Sequence, residues 1–121
     1  MNQLILLRGG GDLASGVALR LHHAGFRVVI AELPRPLAVR RLVSFSEAVY
    51  AGQTTVEDVA ARLVQPDQIA ATLPRREIPH HIDPDADILR NTQHAILIDA
   101  RLLKSPPAPL PTPVPLHIGL G

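Results

Sequence analysis

The chain has no cysteine, so disulfides and thiolate metal or redox sites are excluded, and a reducing compartment is compatible with it. It also has no tryptophan, and aromatic residues make up 2% of its 121 positions. Almost no side chain is available for nucleobases to stack on, and a formal charge of +1 supplies no field to attract a polyanion. Nucleic acid is therefore not an expected partner. No apolar run approaches the roughly 20 residues of a membrane-spanning helix. Leu4 to Leu7 is too short for a signal segment and runs directly into Arg8. A membrane partner is not expected, and the cytoplasm is the expected location. Lysine is almost missing too: eleven of the twelve basic residues are arginine, with Lys104 the exception. The planar fork of arginine suits phosphate and carboxylate, although exposure at the surface accounts for most of these residues.

What is present is 46% apolar residues in alternating strand and helix patterns, enough to bury one core. The expected fold class is α/β: Rossmann-like, with a mostly parallel sheet and flanking helices. The most informative stretch runs from Leu4 through Arg8-Gly9-Gly10-Gly11-Asp12-Leu13-Ala14-Ser15-Gly16, a short apolar strand feeding a glycine turn and then a helix. Gly9, Gly11 and Ala14 fit G-x-G-x-x-G/A: a glycine for the tight turn, a second where backbone approaches a pyrophosphate, and a small residue where helix meets strand. Gly10 completes the turn, and Gly16 is a further small position. Asp12 beside a phosphate cradle would repel the ligand unless it caps the helix or holds a cation, and capping is the expectation.

Ala14, Val17, Ala18 and Leu21 form a helical stripe that Gly25 ends, and Val28 to Ala31 is a buried second strand. The strand finishes at Glu32, at the distance from the glycines where a dinucleotide fold places its ribose-hydroxyl acceptor. Beyond it, Arg35, Arg40 and Arg41 surround the expected adenosine end. A 2′-phosphate would suit the arginines and be repelled by Glu32, and Glu32 favours an unphosphorylated ribose. Thr55 to Val64 has helical spacing with a capping pattern at its start, and a strand is the alternative. A further helix is expected from Asp67 to Leu73, an edge strand from Ile78 to Asp83 because of Pro79, and a strand from Ala95 to Asp99. Asp99 and Arg101 then fall at a strand's carboxyl end, where open α/β sheets bind ligands. A surface pair capping the next turn is the other account of them.

The six histidines show no metal-ligand spacing, since neighbours such as His80 and His81 point to opposite faces of a strand. No metal site is expected. Residues 106–115 hold six prolines and form an extended connector. The expected organisation is thus a nucleotide-binding domain over 1–105, the connector over 106–115, and a terminal strand over 116–121 that begins a further region. A strand ending there without a covering helix is expected to be loosely held or to pair with a second copy in a homodimer.

Three blocks carry a resemblance: Arg8-Gly9-Gly10-Gly11-Asp12-Leu13-Ala14-Ser15-Gly16-Val17-Ala18; Glu32-Leu33-Pro34 with Pro36-Leu37-Ala38-Val39-Arg40-Arg41; and Val43-Ser44-Phe45-Ser46-Glu47-Ala48-Val49-Tyr50. With Asp99-Ala100-Arg101 and Ile118-Gly119-Leu120-Gly121, they resemble the accessory proteins of selenium-dependent molybdenum hydroxylases, relatives of the xanthine dehydrogenase accessory proteins. The resemblance implies a Rossmann-like domain that helps to mature or insert the molybdenum cofactor rather than turning over a metabolite, with a molybdenum hydroxylase as client. The expected ligand is a dinucleotide, NAD among the candidates, or a molybdopterin-type nucleotide. It would be bound by Gly9, Gly10, Gly11, Asp12, Ala14, Gly16 and Glu32, with Arg40, Arg41 and Asp99 as secondary contacts. An NAD(P)-dependent oxidoreductase and a non-catalytic nucleotide sensor are the alternatives, and no catalytic residue stands out.

Overall fold

The computed structural model describes residues 4–34, 44–91, 96–101, 110–111, 114 and 116–120. Strand β1 (Leu4–Arg8) leads through the glycine turn into helix α1 (Asp12–His23), and α1 into β2 (Arg27–Glu32). The helix ends as its sequence predicts. Gly25 takes φ +95°, and the Gly25 and Phe26 amides donate to the carbonyls of His22 and Leu21, closing orphan acceptors of the last turn. A single-turn helix α2 (Glu47–Ala51) stops at Gly52, whose φ is +82°. Ser44 and Phe45 precede it as loop and turn.

The next segment departs from the helical expectation. Strands β3 (Gln53–Val56) and β4 (Val59–Leu63) form an antiparallel hairpin over the two residues Glu57 and Asp58, both at positive φ (47° and 70°). Val56 and Val59 pair across the turn and are buried. Apolar residues three apart, which mimic a helical stripe, therefore meet here as a cross-strand pair. The following helix is short and irregular: a 3-10 turn at Pro66–Gln68, helix α3 (Ile69–Thr72), and a second 3-10 turn at Leu73–Arg75 that takes in Pro74. Strand β5 (Ile78–Ile82) follows, then a 3-10 turn at Asp87–Asn91, β6 (Ile96–Asp99) and β7 (Leu116–Gly119).

The seven strands form one sheet in the order β3-β4-β5-β2-β1-β6-β7, parallel except for the β3/β4 hairpin. This is a mixed α/β architecture. Strand β5 is interior, not the edge expected from Pro79. Proline is accommodated because Pro79 pairs with Arg62 of β4, while the ladder to β2 begins one residue later at Ile30 and His80. The missing N–H thus falls where no second ladder has begun.

Alternation along the strands separates two cores. Ile5, Leu7, Val28, Ile30, Ile78 and Ile98 pack with Ala14, Ala18, Phe45 and Ala48 on one face, whereas Leu6, Val29, Ala31 and Leu97 pack with Val64, Ile69, Ala86 and Leu89 on the other. Leu110 and Val114 of the proline-rich stretch lie against the second core, and Leu120 lies against the first.

Candidate functional site at the glycine turn

Strand order reverses at β1: the chain leaves it through α1 toward β2 on one side and later places β6 on the other. In open α/β sheets the crevice above such a reversal, at the carboxyl ends of the strands, is where ligands bind. The glycine turn, Glu32, Asp99 and Arg101 all stand at that end, since Arg8 is in register with Ala31 and with Asp99.

The turn is held rigidly from below. The Gly10 amide donates to Glu32 Oε1 at 3.2 Å. Its carbonyl accepts from Ser44 Oγ at 2.6 Å, Ser15 Oγ at 3.0 Å and the Ser46 amide at 2.8 Å. Ser46 Oγ donates to the same Glu32 oxygen at 2.7 Å, and the Phe45 amide donates to Ser15 Oγ at 2.8 Å. Glu32 is 6% exposed. Burial pushes its carboxyl up, while the Ser46 hydroxyl and the amides of Leu33 and Gly10 work the other way. Its carboxylate thus points into the turn, and a ligand hydroxyl would share it with Ser46. A Cβ on Gly10 would come within 2.8 Å of His80 Cε1 and 3.2 Å of Ser46 Oγ, so this position has no room for a side chain.

Gly11 is different. It is the N-cap of α1, with φ −72° and no side chain to close the first-turn amides, and a Cβ built on it would meet nothing within 4 Å. The first amides of an α-helix point out of its N-terminal end with no carbonyl four residues earlier in the helix to accept from them, and the helix dipole adds positive character there. Asp12 does not occupy the cap expected of it. It is the first helical residue and is exposed, because Gly11 takes the extended cap conformation instead. Ala14 is buried against the sheet, as a helix–strand contact requires, while Gly16 is exposed and its Cβ direction is open.

Across the reversal, Arg101 grips Asp99 in a two-pronged bond, Nε to Oδ1 at 2.9 Å and Nη2 to Oδ2 at 2.7 Å, and its amide donates to Oδ1 at 3.1 Å. Burial pushes the Asp99 carboxyl up, but the Arg101 bonds and the charges of Arg101 and Arg8 outweigh it and hold it below the usual carboxylate value. Arg8 is 6% exposed and donates from Nη2 to the Pro84 carbonyl at 2.7 Å. Burial and the charge of Arg101 lower its pKa, and Asp99, Asp83 and Asp85 oppose them. Arg35, Arg40, Arg41, His94 and Lys104 lie outside the described residues.

Some polar residues of this end escaped the sequence reading. His80 is fully buried with both ring nitrogens unpartnered, and burial with the charge of His81 takes its pKa down to about 4. On the opposite face, His81 Nε2 lies 3.2 Å from Asp83 Oδ2. Asp83 also accepts from the Asp87 and Ile88 amides at 2.8 and 3.0 Å, capping the 3-10 turn. The signal for this pair was present, because His-x-Asp along a strand puts both side chains on one face. The serine cage had no such signal, since Ser15 and Ser44 are 29 positions apart. Beside His81 and Asp83, a cavity of about 740 Å³ opens between the second face of the sheet and α3. Among the described residues no three His, Asp or Glu side chains gather as a metal-ligand set, and no helix is long and apolar enough to cross a membrane.

Comparison with known proteins adds one likeness. The chain is 41% identical over 121 residues to a protein of Escherichia coli (strain K12), Uncharacterized protein YqeB. The alignment takes in 99% of this chain and 22% of that protein, so the chain spans well under a third of the curated relative it matches. No family model matches the chain, and no solved structure does.

Proposed function

We propose that the domain is Rossmann-like and binds a nucleotide or pterin-nucleotide cofactor, the phosphate lying on the amides from Gly11 into α1, in the service of molybdenum-hydroxylase maturation. The observation that carries the binding half is the coincidence of three features at one point: the reversal of strand order at β1, a rigid glycine turn there, and an N-cap opening on empty space. Five of the six mutually parallel strands, β5-β2-β1-β6-β7, follow the 3-2-1-4-5 arrangement of dinucleotide folds, with β4 added in parallel beyond β5, which supports the Rossmann-like reading. The maturation half rests on the family resemblance of the sequence blocks around the turn. The Gly10 peptide is already committed to protein partners, so the phosphate is assigned to the amides that follow it. Glu32 keeps Gly10 and Ser46 in place and stands where it disfavours a 2′-phosphate.

Thermal shift of the 121-residue chain against NAD, NADP, ADP, CTP and molybdopterin tests this directly. At a ligand concentration of 100 Kd a specific binder stabilises by about 2.7 kcal/mol. The Gly11→Val variant keeps its circular dichroism and loses the shift, because the new methyls fill the space assigned to phosphate. A panel without any shift, or a shift that Gly11→Val leaves intact, overturns the proposal. The same chain supplied with NAD(P)H and carbonyl substrates is expected to show no turnover above background.

A further inference from the structure

Just past the end of β6, the stem of Arg101 lies beside the glycine turn. Gly9 sits at φ +98°, and a Cβ there would lie 3.4 Å from both Arg101 Cγ and the Ala100 carbonyl oxygen. The turn after β1 and the arginine just past β6 are therefore neighbours across the line where strand order reverses, with no slack for a side chain between them. Asp99 fixes the guanidinium plane by taking its Nε and one Nη2 hydrogen. Three of the five N–H donors of an arginine remain outside such a fork, and the Arg101 side chain keeps 17% of its surface accessible. Arg8 stands behind Asp99, but it is tied to Pro84 and its charge is offset by Asp83 and Asp85 from the β5 side. Among the described residues, the accessible cation next to the turn is Arg101.

We infer that the Asp99–Arg101 fork receives a second anionic group of the ligand whose first phosphate lies on the turn, so that the site prefers nucleoside diphosphates and dinucleotides to monophosphates. This rests on the reading of the turn as a phosphate site. A phosphate on the amides after Gly10 leaves its neighbour in a pyrophosphate only one bridging oxygen away, on the side where the Arg101 stem lies beside Gly9. A planar, oriented guanidinium binds phosphate oxygens through two parallel bonds, which an ammonium cannot reproduce. Asp99 is then a positioning residue, holding the fork at the required angle.

Calorimetric titration of the 121-residue chain with ADP and AMP, and with CDP and CMP, tests the inference. The diphosphate of at least one pair is expected to bind about tenfold tighter or more, the size of a charge-assisted hydrogen bond. Arg101→Gln reduces diphosphate affinity about tenfold more than monophosphate affinity, and Arg101→Lys falls between. Equal binding of both members of a pair, with both lost in Gly11→Val, overturns this inference and leaves the phosphate site standing. A preference that survives Arg101→Gln does the same. No binding by any of the four removes the phosphate site and this inference together. If Arg101→Gln does not fold, Arg101→Lys decides, because it retains the charge and loses the fork.

Discussion

Gly10 shows how one position fixes the geometry of its neighbours. Its amide and carbonyl carry four bonds to Glu32, Ser15, Ser44 and Ser46, and His80 closes the space a side chain would need. Gly10→Ala is expected to cost about 1–3 kcal/mol, as overpacking does, while Gly11→Ala, facing open space, costs well under half of that. Urea unfolding of the two variants provides the comparison. His80 sets a pH dependence. Its folded pKa of about 4 lies below the unfolded value near 6.5, so the unfolded chain binds more protons between those limits. Its stabilising contribution is complete above pH 6.5 and is lost as pH falls toward 4, up to about 3 kcal/mol for that shift. His81 and His22 shift in the same direction, and Glu32 in the opposite one. Stability measured from pH 7 to pH 4.5 should fall more steeply for the native chain than for His80→Leu. Equal slopes would mean that His80 is not buried uncharged.

Among the elements, the β3/β4 hairpin carries avoidable strain, since Glu57 and Asp58 both adopt left-handed backbone without being glycine. Each such residue costs of order 1 kcal/mol or more, and two-residue turns of this kind prefer Asn-Gly. The double replacement Glu57→Asn and Asp58→Gly should raise stability by about 1 kcal/mol, seen as a higher melting temperature. That turn also explains why this segment misled a reading by periodicity: Glu-Asp is a poor turn signal, and Thr55-x-x-Asp58 imitates a helix cap. Pro79 misled in a different way, because a proline argues for an edge only when both ladders reach its nitrogen. By contrast β1, α1, β2 and β6 were legible, since each combines an apolar run or stripe with its own stop signal, Gly9, Gly25, Glu32 and Asp99 respectively.

For the whole molecule, the candidate site was legible where it follows the chain and hidden where it crosses it. The turn, Glu32 and the Asp99/Arg101 pair lie at element ends that patterning marks. The serine cage and His80 arrive from α1, the loop before α2 and β5, and only the strand order brings them together. At the far edge, β7 pairs on one side with β6 and its four residues are exposed, while Leu120 packs against the first core and Leu110 and Val114 against the second. Truncation after residue 104 is therefore expected to leave a folded sheet, weakened by about 2–5 kcal/mol on the scale of three partly buried apolar side chains. Complete unfolding of the truncated chain would show instead that β7 is integral to the core.

The position of β1 has a consequence for biosynthesis. It is an interior strand, yet its second neighbour, β6, joins it through partners such as Arg8 and Asp99, which lie 91 positions apart in the chain. At ribosomal speeds of about 5–20 residues per second, one flank of Leu4–Arg8 waits roughly 5–20 s for its mate to be made. During that interval Leu6 and Leu7 form an open edge in the nascent chain, the species on which a holdase chaperone would act.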